Sequence, residues 1–209
     1  MRLPAQRPLV YLITDGTATD DNFESALSAI VSTVTAAVQM GVSLIQVREK
    51  QLSAKNLFDL SAKIVPITRN TDTRLLINDR ADIARAAGAD GVHLATRSLP
   101  ATVVRQKFGA DFLIGVSTHS ASEIRSAIEG EADFVVFGPV FRMADKGKPT
   151  GKEDLEMVCE QFDGFPVLGL GGVEASNFAI VLETKAAGFA AIRALNDIDS
   201  MRRIMNSIK

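Results

Sequence analysis

Short apolar runs rich in β-branched residues alternate with longer stretches of helical spacing from one end of the chain to the other. The short runs cover 9–14, 44–48, 74–78, 91–94, 113–117, 134–140, 166–171 and 189–195. They are apolar on consecutive positions, as parallel strands covered on both faces must be. The helical stretches cover 22–40, 53–68, 81–87, 100–108, 120–129, 152–162, 176–187 and 199–208. Asp21 and Ser53 stand where helices begin, and Gly41, Gly88, Gly109, Gly130, Gly164 and Gly188 stand where they end. Two of these endings echo one another, Ala87-Gly-Ala-Asp-Gly-Val and Ala186-Ala-Gly-Phe-Ala-Ala-Ile, as repeated βα units would.

Eight strand–helix units without a linker predict an α/β fold, a (β/α)8 barrel of eight parallel strands, as one domain over 1–209. An open, doubly wound sheet shares the periodicity, and the count of eight favours the barrel. The least regular stretch is 141–151, after the sixth strand, where a long loop reads as a lid or binding loop.

Of the 209 residues, 46% are hydrophobic and 23% charged, enough apolar material for one sizeable core. A net charge of -2 with no basic run argues against nucleic acid or an anionic membrane as partner. Cys159 is the only cysteine, so neither an intrachain disulfide nor a cysteine zinc site is available, and its helical surroundings predict a packed thiol. The polar, proline-containing N-terminus lacks a signal peptide's apolar core, and no segment approaches the ~20 apolar residues of a membrane span. A cytoplasmic protein is expected.

In such barrels functional residues gather at the C-terminal ends of the strands. Gln46, Arg48 and Lys50 alternate to one side at the end of the second strand, where an Arg fork and a Lys point charge suit a phosphate or pyrophosphate. Asn78 can hydrogen-bond a ligand after the third strand. Asp79 beside it can hold Mg2+, pair with Arg48, or merely cap the following helix. Ser117 and His119 leave the fifth strand, and His119 at the mouth is placed for proton transfer. The other histidine, His93, lies within the fourth strand, where a structural role is expected. Arg142, Lys146 and Lys148 ride on the long loop. Gly171 and Gly172, after the seventh strand, let backbone N–H groups approach a phosphate, with the end of the eighth strand near Arg193 completing the cradle.

Eight blocks carry a resemblance over nearly the whole chain: Tyr11-Leu-Ile-Thr-Asp15, Gln46-Val-Arg-Glu-Lys50, Asn78-Asp-Arg80, Ala89-Asp-Gly-Val-His-Leu94, Gly115-Val-Ser-Thr-His119, Ala132-Asp-Phe134, Phe137-Gly-Pro-Val-Phe141 and Gly169-Leu-Gly-Gly172. In order and spacing they resemble the thiamin phosphate synthase/TenI family. The resemblance implies a barrel, a role in thiamin biosynthesis, a small phosphorylated thiazole as substrate, and the possibility of a homodimer.

That family has two branches. Synthases join a pyrimidine diphosphate to thiazole phosphate with Mg2+, expelling pyrophosphate. They place an Asp two residues before the Pro that follows the fourth strand, and a Thr-x-Thr-Lys clamp after the sixth. TenI-type proteins aromatise a carboxythiazole phosphate tautomer through a His after the fifth strand and need no metal. This chain has Ser98 where the second metal carboxylate belongs, and Met143 and Asp145 where the clamp threonines belong, keeping Lys146. An Asp beside a pyrophosphate repels it, and a Ser cannot supply a carboxylate's charge to Mg2+.

The expectation is therefore a TenI-like thiazole tautomerase. His119 would be catalytic, Gln46, Arg48, Lys50, Asn78, Ser117 and Lys146 would bind substrate, and Gly171 and Gly172 would hold the phosphate. No cofactor would be required. The alternatives are a synthase, with Mg2+ on Asp79, and a non-catalytic regulatory protein that binds thiazole or thiamin phosphate.

Overall fold

A computed structural model describes residues 3–5, 8–143 and 149–208. Eight parallel strands close into a barrel in chain order: β1 (Leu9–Ile13), β2 (Leu44–Val47), β3 (Arg74–Asn78), β4 (Gly91–Leu94), β5 (Leu113–Thr118), β6 (Phe134–Phe137), β7 (Val167–Leu170) and β8 (Gly188–Ala191). The first and last strands pair with Val10 opposite Phe189, which completes the ring.

Among the described residues seven helices connect the strands: α1 (Phe23–Met40), α2 (Ala54–Thr68), α3 (Ala81–Ala87), α4 (Ala101–Phe108), α5 (Ala121–Glu129), α6 (Gly151–Gln161) and α7 (Phe178–Leu182). Two more, α8 (Arg193–Asn196) and α9 (Ile198–Ile208), follow the last strand.

Period-2 alternation splits six of the strands, all but β4 and β5, between two apolar cores. Leu9, Tyr11, Ile13, Leu44, Leu76, Phe134, Val136, Leu168 and Ala190 pack inside the barrel. Their neighbours Val10, Leu12, Ile45, Leu75, Ile77 and Val92 face the helices. Inward positions nearer the C-terminal ends are polar, with Gln46, His93 and Ser117 meeting in hydrogen bonds there. Gly115 is small because it must be: a Cβ there would lie 2.4 Å from the Phe134 ring and 2.7 Å from His93 Nδ1. Cys159 is buried, and burial, with Glu156 adding, pushes its thiol up to about 12, the packed thiol expected.

Local signals failed at identifiable places. Position 192 does not continue the last strand; the chain turns into α8, and the Asn196 amide donates to Ile13 and Ile192 carbonyls, both at 2.8 Å. A short apolar run reads alike as strand or buried helical turn. Asn22, not Asp21, borders α1. The left-handed residue after α5 is Glu131 (φ 59), not Gly130. Ser53 does cap α2, accepting from Asn56 N–H.

Helix α1, 18 residues with mean hydropathy 1.2, is long and apolar enough by length and composition alone to cross a membrane, a test that core helices also pass. Ile30, Val34 and Ala37 on its inner face pack into the outer core of the barrel.

Candidate active site

The C-terminal mouth of the barrel opens on a cavity of about 330 Å3. Gln46, Arg48, Lys50, Asn78, Ser117, His119, Gly171, Gly172 and Arg193 all line it, so residues spread over most of the sequence converge at one end. His93 lies on its floor.

Arg48 is held by its backbone. Its N–H donates to Thr14 Oγ1 at 2.8 Å, and its guanidinium lies against Gly16, where a Cβ would come within 3.2 Å of Nη1. Glu49, pointing the other way, is buried and accepts from the N–H groups of Gly16 (3.2 Å) and Ala18 (2.9 Å). This carboxylate ties the β1–α1 loop to the exit of β2. Sequence reasoning passed over it, although strand alternation already turned it away from Gln46, Arg48 and Lys50.

His119 stands exposed at the rim, at the entry to α5. Ser120 caps α5, its Oγ accepting from Glu123 N–H, and the Glu123 carboxylate reaches back one residue further to accept from His119 N–H at 2.5 Å. His119 Nδ1 lies 2.5 Å from the Gly138 carbonyl oxygen. A carbonyl only accepts, so Nδ1 carries the hydrogen, and the neutral ring keeps its lone pair on Nε2. That is the form of imidazole able to take a proton at Nε2.

The diglycine turn is built by backbone. Gly171 (φ 102) and Gly172 (φ 67) are both left-handed. A Cβ on Gly171 would sit 2.6 Å from Pro139, and one on Gly172 would sit 2.8 Å from Phe141 Cβ. Their carbonyls are used, Gly171 O by Phe141 N–H and Gly172 O by the Asn177 amide, each at 2.9 Å. Among the described residues no acceptor meets their N–H groups. Arg193 and Glu174 also line the cavity, one of each charge.

Other expected residues are placed differently. Lys146, with Asp145 and Lys148, lies outside the described residues. Asp79 is exposed with φ 63, lies outside the cavity lining, and makes no ion pair with Arg48. Nor does it cap α3, whose N-cap is Arg80. Ser98 turns back into its own loop, accepting from Ala95 N–H at 2.8 Å. Met143 puts an apolar side chain in the cavity. Among the described residues no three His, Cys, Asp or Glu side chains gather where a metal could sit. The two positions at which a synthase would hold Mg2+ thus offer one carboxylate, the exposed Asp79, and a serine already engaged with Ala95.

A closed parallel barrel with cations, a strand-end histidine and a diglycine turn at one mouth defines a (β/α)8-barrel enzyme. The chain belongs to the thiamine monophosphate synthase family, whose sequence profile matches residues 10–195. A Geobacter sulfurreducens relative is 39% identical over 189 residues, 89% of this chain and 85% of that protein, and carries the name thiamine-phosphate synthase provisionally. The thiamine-phosphate synthase of Roseiflexus sp. (strain RS-1) is 36% identical over 195 residues, 92% of this chain and 80% of its own. Among solved structures, thiamine phosphate pyrophosphorylase from Pyrococcus furiosus superposes with TM-score 0.80 and 27% identity, covering 96% of each chain. The family and fold expected from sequence are thus established. The relatives' names back the synthase reaction better than the tautomerase placed first.

Proposed function

We propose that this chain acts in thiamin biosynthesis on a phosphorylated thiazole, and that its reaction is the aromatisation of a carboxythiazole phosphate tautomer. The observation that carries this reading is the hydrogen bond from His119 Nδ1 to the Gly138 carbonyl, which leaves Nε2 as a base at the cavity. In the reaction, Nε2 takes a proton from the thiazole ring, and the electron pair of that C–H bond moves into the ring. A new C–H bond forms at the exocyclic carbon as the imidazolium returns a proton. Protons and electrons balance within the substrate, so no co-reactant is consumed. Imidazole suits both halves, because it is the side chain that gains and loses a proton most readily near neutral pH.

Gly171 and Gly172 would hold the phosphate through backbone N–H groups, with Arg193 adding charge. Arg48, Lys50, Gln46, Asn78 and Ser117 would orient the ring, and Lys146, outside the described residues, is carried from the sequence as a further substrate-binding residue. A homodimer working in the cytoplasm, without nucleic acid or membrane, completes the proposal.

The second reading is the synthase, favoured by the names of the relatives. There Asp79 would hold Mg2+ and the cationic side of the mouth would take the pyrophosphate. Against it stand Ser98, engaged with Ala95, and Met143 in the cavity. The two readings separate in one experiment: purified protein is offered each substrate set, with Mg2+ and with chelator. Tautomerisation indifferent to chelation supports the proposal. Mg2+-dependent formation of thiamin phosphate, without tautomerisation, replaces it with the synthase.

A further inference from the structure

A single polar chain crosses the barrel interior beneath the cavity, from Gln46 through Tyr11 and His93 to Ser117. Gln46 Nε2 donates to Tyr11 Oη at 2.8 Å. Tyr11 Oη lies 3.2 Å from His93 Nδ1, and His93 Nε2 lies 2.9 Å from Ser117 Oγ. Tyr11 is wholly buried and His93 nearly so, and the rings of Tyr11 and Phe134 flank the imidazole at 5.7 and 6.1 Å between centroids.

The direction follows from where the phenol hydrogen can be used. The Gln46 amide nitrogen only donates, so the phenol oxygen accepts from it, and among the described residues His93 Nδ1 is the acceptor within reach of the phenol hydrogen. Nδ1 is then the acceptor nitrogen, and a neutral imidazole carries its hydrogen on Nε2, donated to Ser117 Oγ. Two effects keep the ring neutral: burial first, then the neighbouring Arg48 cation, which together lower its pKa to about 3. Burial also pushes the Tyr11 phenol above its ordinary range, so it keeps its hydrogen. The Ser117 hydroxyl, having accepted from His93, is left with its own hydrogen facing the cavity.

The geometry points to His93 as a positioning residue that fixes Ser117 as a hydrogen-bond donor to an anionic oxygen of the ligand. Arg48 lines the same cavity, so a group received between them meets a donor and a cation and must be an acceptor. On the proposed function that oxygen belongs to the carboxylate of the thiazole substrate, and the inference rests on that reading only for this choice. A pyrophosphate oxygen would satisfy the same donors. The direction of the hydrogen-bond chain depends on neither.

Because the chain has only two histidines, nitrogen NMR of the full-length protein labelled with 15N-histidine reads the chain directly. His93 is expected to show a pyrrole-type Nε2 and a pyridine-type Nδ1, unchanged from about pH 8 to pH 5 as a strongly depressed pKa requires. His119 is expected to show the opposite tautomer, and His119→Gln identifies its signals by removing them. A hydrogen on His93 Nδ1 would mean that the chain runs the other way and Ser117 accepts from the ligand, which overturns the inference.

Calorimetric titration supplies the second arm. Ser117→Ala and His93→Leu should each weaken binding of an anionic ligand by about tenfold, the scale of one charge-assisted hydrogen bond, whereas His93→Gln, whose amide can donate in place of Nε2, should stay within about threefold of wild type. Loss for carboxythiazole phosphate but not for thiazole phosphate assigns the oxygen to the carboxylate. Loss for inorganic pyrophosphate instead keeps the role of His93 and counts against the tautomerase. No loss with any of the three overturns the donor assignment.

Discussion

Substituting Gly172 by Ala tests the diglycine turn. At φ 67 an alanine is strained whatever the space, by about 1–2 kcal/mol. Its Cβ would in addition meet Phe141 Cβ at 2.8 Å, Phe141 O at 3.2 Å and Arg142 O at 3.3 Å. Most of these atoms are backbone, so the turn must move by several tenths of an ångström. A stability loss of roughly 2–3 kcal/mol should follow, lowering Tm by about 5–10 °C for a chain of this size. The same movement displaces the N–H groups proposed to grip the phosphate, and thiazole phosphate affinity should fall roughly tenfold to a hundredfold.

Gly41→Ala is the matched control. Its φ is 83, in the left-handed region, with nothing within 4 Å of a Cβ, and it joins α1 to β2 at the opposite end of the barrel. It should carry the torsional cost alone and leave binding intact. Differential scanning calorimetry and isothermal titration of both variants give the two numbers. If Gly172→Ala is destabilised as predicted yet binds thiazole phosphate like wild type, the phosphate sits elsewhere.

Other consequences are as specific. Glu49→Ala strands the N–H groups of Gly16 and Ala18 in a buried place, so chemical denaturation should show a loss of about 2–4 kcal/mol. Steady-state kinetics should show a raised KM, because the loop it holds packs against Arg48. Folded His93, with its pKa lowered to about 3, stays neutral through the range in which the unfolded residue, near 6.5, takes up a proton. The unfolded state thus binds more protons below about pH 6.5, and stability falls with acid by about 2 kcal/mol between pH 7 and pH 5 from this residue alone. Urea midpoints at the two pH values should show His93→Gln losing that much less than wild type. Arg48→Ala should weaken pyrophosphate or thiazole phosphate binding by roughly tenfold, and Arg48→Lys should restore it only partly, since a point charge replaces a fork. Equal affinity in all three would remove Arg48 from the site.

Much of this was legible before any coordinates. Strand count and order follow from apolar runs that are buried on both faces, and seven loop helices from glycine and serine punctuation. Convergence of Gln46, Arg48 and Lys50 on the mouth follows from period-2 alternation at a strand end. What stayed hidden depends on contacts distant in sequence. Nothing local shows that Glu49 accepts from Gly16 and Ala18, or that a histidine inside β4 reaches Tyr11 and Ser117 on two other strands. Asp79 suits both a cap and a metal by sequence position; the cap falls to Arg80, and a backbone at φ 63, which leaves Asp79 exposed and outside the cavity lining, has no local signal. The turn into α8 escaped because four residues, Arg193-Ala-Leu-Asn196, are too few to show a period.

The account stands most directly on His119. The measurement is turnover of the carboxythiazole phosphate tautomer by wild type and His119→Gln, in the presence of chelator, with circular dichroism confirming that both are folded. The account predicts unimpaired wild-type turnover without metal and a loss of roughly a hundredfold or more in the variant, the scale of a missing general acid–base group. Equal turnover in the two proteins, or no tautomerisation by wild type alongside robust Mg2+-dependent synthesis of thiamin phosphate, would contradict it.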